Sequence, residues 1–267
     1  MTRQHADELA RLAGTMRIEQ ISDRAFRLRD AAANNSIASW CEARRIDRAW
    51  MPEGRRFADL KLLGMDMDST LITIECIDEL GDLAGRKAEI AAITAQAMRG
   101  EIDYPESLRR RVALLSGLQE SALARVYDER LRLTSGAEAL LGACKKHGVR
   151  LLLVSGGFSF FTERLKSRLG IDYTISNTLE ISGGVLTGRV AGEIVEAGAK
   201  AAKFKNVLKE LNAHGEQSVA IGDGANDLKM MAEAGISIAF HAKPVVRAQA
   251  SCALNWCGLD AVRNLFE

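Results

Sequence analysis

The sequence is poor in the features that mark several protein classes. It carries 3 prolines, 5% aromatic residues and a formal charge of only +1, from 36 basic and 35 acidic side chains. So balanced a charge argues against a duplex nucleic-acid binder, which needs surplus lysine and arginine to displace counterions. No apolar run approaches the ~20 residues that a membrane-crossing helix requires, so no membrane partner is expected. The opening MTRQHADELARLAG is charged throughout and lacks the apolar stretch of a secretory signal, so the reading is a cytoplasmic protein. The five cysteines (Cys41, Cys76, Cys144, Cys252 and Cys257) are odd in number and share no C-x-x-C spacing. That speaks against a disulfide framework or zinc site and for a reducing compartment. Four dispersed histidines, His5, His147, His214 and His241, suggest neither a histidine metal site nor a Ser-His relay.

What is present is a chain of 267 residues, 47% of them apolar, enough for one large core with an inserted element or for two domains. Residues 1–58 place Leu9, Leu12 and Met16 at helical spacing and read as a helical N-terminal extension of two or three helices, ending in a linker around Pro52. Four short apolar runs follow, at 60–65, 150–154, 218–221 and 235–240, each reading as a buried strand. Helical patterns over 137–147, 158–169 and 200–211 separate them. Strands alternating with helices predict an α/β fold, a doubly wound parallel sheet with helices on both faces. About 80 residues separate the first strand from the second, far more than one crossover needs. Residues 75–132 show helical stripes and no strand alternation, which predicts an all-helical cap inserted into a core of 59–74 and 133–267. Residues 178–192 read as a hairpin around Ser182-Gly183-Gly184.

Ligands of open parallel sheets collect at the carboxyl ends of the strands. The first run ends in Asp66-Met67-Asp68-Ser69-Thr70, the second in Ser155-Gly156-Gly157, the third in Gly222-Asp223-Gly224-Ala225-Asn226-Asp227, and Lys200 opens a helix between the last two. Two carboxylates 4 Å apart repel by roughly 4 kcal/mol at an effective dielectric of ~20, so such a rim calls for a cation. Oxygen donors without histidine or cysteine favour Mg²⁺, which takes one or two carboxylates together with a phosphate oxygen. Asp66-x-Asp68 supplies one carboxylate to attack and another to move a proton. Lys200, the Ser155 hydroxyl and the glycine-rich turn offer neutralisation to a phosphoester.

These four motifs, DMDST, SGGF, the helix-opening lysine and GDGAND, resemble in order those of the haloacid dehalogenase-type phosphatases. The longer stretches DMDSTLITIECIDEL, AMRGEIDYPESLRRRV and GDGANDLKMM resemble the phosphoserine phosphatase family within them. The resemblance covers about residues 58–267. It implies a Rossmann-like three-layer core and Mg²⁺-dependent hydrolysis of the small molecule O-phospho-L-serine, the last step of serine biosynthesis. In that reading Asp66 is the nucleophile and Asp68 the proton donor and later base. Asp66, Asp223 and a main-chain oxygen of Asp68 hold the metal, with Asp227 behind them. Ser155, Gly156, Gly157 and Lys200 grip the phosphoryl group, with Asn226 nearby. Glu75 meets the substrate amine and Arg111 its carboxylate, and Met98 and Tyr104 form apolar walls.

Helical spacing supports Arg111 independently. Of Arg109, Arg110 and Arg111, only Arg111 falls on the stripe of Leu108 and Leu115, so it should point inward. Lys203, one turn beyond Lys200, is an alternative for the lysine. Other readings stay open: a phosphatase or phosphotransferase for another small phosphomonoester, or a metal-dependent interaction module. The extension departs from the β-rich regulatory modules of many family members, so control by serine is in doubt. It is also a candidate homodimer interface.

Overall fold

The computed structural model describes residues 1–267. The chain runs α1 (Arg3–Leu12), β1 (Ile18–Ser22), β2 (Ala25–Leu28), α2 (Asn35–Ala43), β3 (Leu62–Asp66), α3 (Cys76–Leu83), α4 (Lys87–Met98), α5 (Tyr104–Ala113) and α6 (Ser121–Arg125). It continues through α7 (Ala137–Lys146), β4 (Arg150–Phe158), α8 (Ser159–Leu169), β5 (Tyr173–Ser182), β6 (Val185–Ala191), α9 (Ala197–Glu210), β7 (Ser218–Gly222), α10 (Leu228–Met231), β8 (Ile236–Phe240), α11 (Pro244–Arg247) and β9 (Cys252–Leu254).

The main sheet has seven strands in the order β6-β5-β4-β3-β7-β8-β9, parallel except for β6. The four apolar runs become β3, β4, β7 and β8. The strands β3, β7 and β8 are buried at every residue, as sheet centres covered on both faces must be. Their side chains alternate between two apolar layers. Leu63, Met65, Leu153, Val219 and Ile221 face one side, and Leu62, Leu152, Val154 and Ala220 pack with Phe204 and Met230 on the other. The first half of β5 and the whole of β9 lay outside the sequence reading. β5 begins as a parallel neighbour of β4 and ends as one arm of the expected hairpin with β6. β9 is three residues long, too short to show a pattern.

The first strand in the core, β3, lies between β4 and β7, so the chain reverses its winding direction there. A crevice opens at such a switch point, and the ends of β3, β4 and β7 line it. Gly64 in β3 draws α9 close: a Cβ at that position would stand 2.7 Å from the Phe204 ring. Lys200 precedes Phe204 by four residues and so shares its face of α9, which aims the lysine at the end of β3.

Residues 76–125 form four helices, as the stripes indicated. The two linkers of this cap lie side by side. Ile72 bridges Leu133, Thr73 N–H donates to Arg132 O (3.0 Å) and Thr134 N–H to Leu71 O (2.9 Å). The hairpin gives the cap a second support, since Gly117 N–H donates to Leu186 O and Glu120 N–H to Gly184 O (both 2.9 Å).

The extension corrects the all-helical reading. Helix α1 stops where Gly14 takes a φ of 68°, and Met16, read as the last member of its stripe, is 91% exposed. Beyond it β1 and β2 form an antiparallel hairpin across Asp23-Arg24, pairing Ile18 with Leu28 and Gln20 with Phe26. Tertiary contacts hold this marginal ribbon in place. The Arg27 guanidinium donates to the Phe266 carbonyl (2.7 Å), and Arg29 pairs with Glu267 (2.6 Å). Farther on, Asp47 accepts the backbone N–H groups of Asn255, Trp256 and Cys257 at 2.7, 3.0 and 2.9 Å, and Arg48 bridges Ala253. The extension thereby covers the open edge of β9, which would otherwise invite pairing with another chain.

Candidate active site

Asp66 is the last residue of β3, and the chain then turns sharply, with Ser69 at a φ of 55°. A non-glycine residue in that region is strained, a condition that clusters at functional sites. The turn is pinned from several sides. The Ser69 hydroxyl donates to Glu75 Oε1 (2.6 Å), and the Cys76 N–H donates to Asp68 Oδ1 (2.9 Å). Ser155 Oγ reaches Asp68 Oδ2 at 3.3 Å and accepts the Gly157 N–H at 2.8 Å. A methyl at Gly157 would stand 2.7 Å from the Asp68 carboxylate, so glycine is needed for this close approach.

Lys200 lies in the first turn of α9 and is 1% exposed. Its ammonium donates to Asp66 Oδ1 and to Asp227 Oδ1, the latter at 2.8 Å. This removes the ambiguity between the two lysines, since Lys203 instead stands over the Tyr173 ring at 5.7 Å. Asp227 Oδ2 accepts the Gly224 N–H at 3.1 Å, and the Thr70 hydroxyl lies 3.5 Å from Asp223 Oδ1. Asn226 is half-buried in the same loop.

One carboxylate oxygen from each of Asp66, Asp223 and Asp227 falls within 4.8 Å of the others. Lys200 pairs with Asp66 and Asp227, and Asp223 pairs with no lysine or arginine. One ammonium cannot neutralise three carboxylates. Burial, with the Asp227 charge added to it, pushes the Asp66 carboxyl well above its usual range despite Lys200, and pushes Asp223 up to about 6. The all-oxygen donor set and the uncompensated negative charge fit a hard divalent cation, which would return both groups to their ionised forms. The Asp68 side chain stays outside this cluster. Burial raises its carboxyl against the opposing hydrogen bonds of Cys76 and Ser155, so it holds a proton more readily than an ordinary aspartate. Burial lowers and the two aspartates raise the affinity of Lys200 for its proton; the aspartates prevail, and the ammonium stays charged.

The cap residues divide. Arg111 is half-buried while Arg109 and Arg110 are exposed, as the stripe indicated. Its one hydrogen bond runs from Nε to the Ser107 carbonyl at 3.3 Å, leaving the terminal nitrogens for a ligand. Glu75 stands at the entrance to α3, where burial and then the Asp68 charge raise its carboxyl to about 7. Met98 differs from expectation: at the end of α4 it is 66% exposed and forms no buried wall. Tyr104 is more than an apolar wall, because its hydroxyl donates to the Gly156 carbonyl at 2.9 Å.

Two participants escaped the sequence reading. Thr70 lay within DMDST without an assigned role. Asn177 is buried on β5, donating through Nδ2 to the Gly156 carbonyl (2.7 Å) and accepting the Val195 N–H at Oδ1 (2.8 Å). It ties the irregular end of β4, where the register with β5 shifts between Val154 and Phe158, to the segment that leads into α9. Nothing local distinguishes an asparagine in a strand from a solvated one, so only the fold reveals it.

Comparison with known proteins agrees with this geometry. The model of the haloacid dehalogenase-like hydrolases matches residues 63–232, and residues 2–36 match a domain of unknown function. A phosphoserine phosphatase from Polaromonas is 54% identical over 217 residues, 79% of this chain and 92% of its own. The crystal structure of a probable phosphoserine phosphatase from Vibrio cholerae, in unliganded form, superposes with a TM-score of 0.84 at 34% identity, covering 99% of this chain and 83% of that one. A phospho-aspartyl intermediate analogue of a phosphoserine phosphatase superposes with a TM-score of 0.73 at 36% identity, covering 78% of this chain and 99% of that one. No helix of this chain is long and apolar enough to cross a membrane. Three buried carboxylates, a half-buried fourth and a buried lysine at the switch point, a family match across the core and relatives at this identity lead to one conclusion: the chain belongs to the haloacid dehalogenase-like hydrolases, in their phosphoserine phosphatase family.

Proposed function

We propose that this chain hydrolyses O-phospho-L-serine to serine and phosphate through a phosphoryl group carried on Asp66, as the final step of serine biosynthesis in the cytoplasm. The observation that carries the reading is the pairing of Asp66 with Lys200 beside a second carboxyl, Asp68, held separately by Cys76 and Ser155. Asp66 attacks phosphorus while Asp68 delivers its proton to the departing seryl oxygen. The same Asp68, now a base, withdraws a proton from the water that releases phosphate, and Asp66 is regenerated. Lys200, Ser155 and the Gly156-Gly157 turn hold the phosphoryl oxygens, and Asn226 borders the site. Asp66, Asp223 and the main chain at Asp68 would hold Mg²⁺ with Asp227 in support, and the ion would offset charge on the transferring group.

Arg111 and Glu75 give the site its preference for an amino acid. Phosphoserine should therefore outpace phosphoethanolamine, which lacks the carboxylate. Arg111→Ala is expected to lower kcat/KM on phosphoserine at least about 100-fold, the scale of a lost charge-assisted pair, and on phosphoethanolamine less than about threefold. Equal losses on both would remove Arg111 from substrate recognition, and absence of phosphate release from phosphoserine by the wild type would remove the reading itself.

Glu75 sets the pH dependence. It pairs with an ammonium only as a carboxylate, and its carboxyl titrates at about 7. kcat/KM on phosphoserine should therefore fall as pH drops through that value, and Glu75→Gln should abolish the fall while lowering the plateau. The neighbouring Asp68 and Asp223 charges contribute to the rise, so saturating Mg²⁺ should move the limb to lower pH. A pH–rate series on both proteins checks this, and an unchanged limb in the variant would assign the titration to another group.

A further inference from the structure

The Gly156 carbonyl is a junction. It accepts the Tyr104 hydroxyl from the cap at 2.9 Å and the Asn177 amide from β5 at 2.7 Å. A peptide unit is planar and trans, so its C=O and N–H point in opposite directions. The partner of this carbonyl in the same unit is the Gly157 N–H, which points to Ser155 Oγ at 2.8 Å, beside the Asp68 carboxylate. Whatever holds the carbonyl therefore aims the N–H into the reaction chamber. One of its two holders belongs to the core and the other to the cap.

The tyrosine is placed to do this. It is the first residue of α5, whose start is fixed by Pro105 and by the Asp103 side chain accepting the Glu106 N–H at 2.8 Å. A Cβ at Gly156 would collide with the Tyr104 hydroxyl, so this contact requires glycine there. Two other cap–core hydrogen bonds reach the carboxyl groups at the entrance to α3, from the Cys76 N–H to Asp68 and from the Ser69 hydroxyl to Glu75, but neither touches the Gly156–Gly157 peptide; the rest lie at the linkers and at the β5–β6 hairpin.

We propose that the Tyr104 hydroxyl is a positioning group, a latch by which the seated cap orients the Gly156–Gly157 peptide so that the phosphate-gripping turn is complete only when the cap is down. This deepens the phosphatase reading and rests on it. Cap closure and phosphate grip then become one event: a phosphoester entering an open site meets an incompletely ordered turn, and the turn relaxes when the cap lifts for product release.

Tyr104→Phe tests the latch, because it removes the hydroxyl and keeps the ring. With one net hydrogen bond lost, kcat/KM should fall about threefold to tenfold. The loss should be the same on phosphoserine and on phosphoethanolamine, and inhibition by inorganic phosphate should weaken by a similar factor. Amide hydrogen exchange should quicken both across 104–113 and at 155–158. Wild-type kinetics together with wild-type exchange would overturn the latch, and so would a loss confined to phosphoserine, which would make the hydroxyl a contact to the amino-acid part. The exchange measurement needs no turnover, so it tests the latch even if wild type released no phosphate, the result that would instead sink the phosphatase reading.

Discussion

Asp66→Asn is expected to reduce phosphate release by on the order of 10⁴-fold or more while leaving the fold intact, because an amide cannot form the acyl phosphate and removal of a nucleophile is the costliest single change in a covalent mechanism. The side chain lies at the end of a fully buried strand and is 6% exposed. The amide is nearly isosteric and can still accept the Lys200 hydrogen bond, so stability should change little. Asp68→Asn should differ in kind. It removes proton transfer, which contributes about 10²- to 10⁴-fold, and leaves attack by Asp66 available. Acid-quenched reactions with ³²P-labelled phosphoserine should then yield labelled protein from wild type and from the Asp68 variant, and none from the Asp66 variant. Label on Asp66→Asn, or phosphate release equal to wild type, would place the nucleophile elsewhere.

Lys200→Met is expected to damage stability as well as catalysis. Lys200 is the one cation paired with the carboxylate cluster, and it is as buried as the two aspartates it touches. Replacing it by an apolar side chain of similar length leaves Asp66 and Asp227 facing each other without compensation. Breaking a buried pair in this way costs about 3–5 kcal/mol. For a chain of this size that corresponds to a fall in melting midpoint of roughly 6–20 °C. Two further outcomes separate this cause from simple loss of packing. Mg²⁺ should raise the midpoint of the variant more than that of wild type, since a cation bound to the folded form supplies the missing charge. Lowering the pH should also narrow the gap between the two proteins, because the orphaned carboxyls then protonate. Lys203→Met, one turn away beside Tyr173, should leave both midpoint and activity near wild type. A small, Mg²⁺-independent loss at Lys200 equal to that at Lys203 would contradict the assignment.

Asn177 illustrates why part of the site stays hidden in one dimension. Its two amide ends join the Gly156 carbonyl and the Val195 N–H, groups from different crossovers. Such a role depends on β5 lying next to β4, and that adjacency has no local signature in a strand whose second half looks like an ordinary hairpin arm. The extension hid its hairpin for a related reason. A two-stranded ribbon is marginal alone, and the grip of Arg27 on the carbonyls of the chain's last residues decides that it forms. Leu9, Leu12 and Met16 keep helical spacing across a point where Gly14 has already ended the helix.

Some features are determined by short-range chemistry and could be read directly. Continuous apolar runs must be covered on both faces, which made β3, β4, β7 and β8 legible, and the acidic and glycine-rich segments after them could only fall at one rim of a parallel sheet. Helical periodicity likewise distinguished Arg111 from its two neighbours. The tertiary structure decided that Lys200 and not Lys203 enters the carboxylate cluster, on the face of α9 where Gly64 lets the Phe204 ring pack closely against β3. It alone left Met98 in solvent and gave the Tyr104 hydroxyl a partner in the core. The physical reason is the range of the interactions. Periodicity and turn chemistry act over a few residues and are written in order along the chain, whereas close packing and hydrogen-bond partnership join residues whose separation in sequence carries no information about their separation in space.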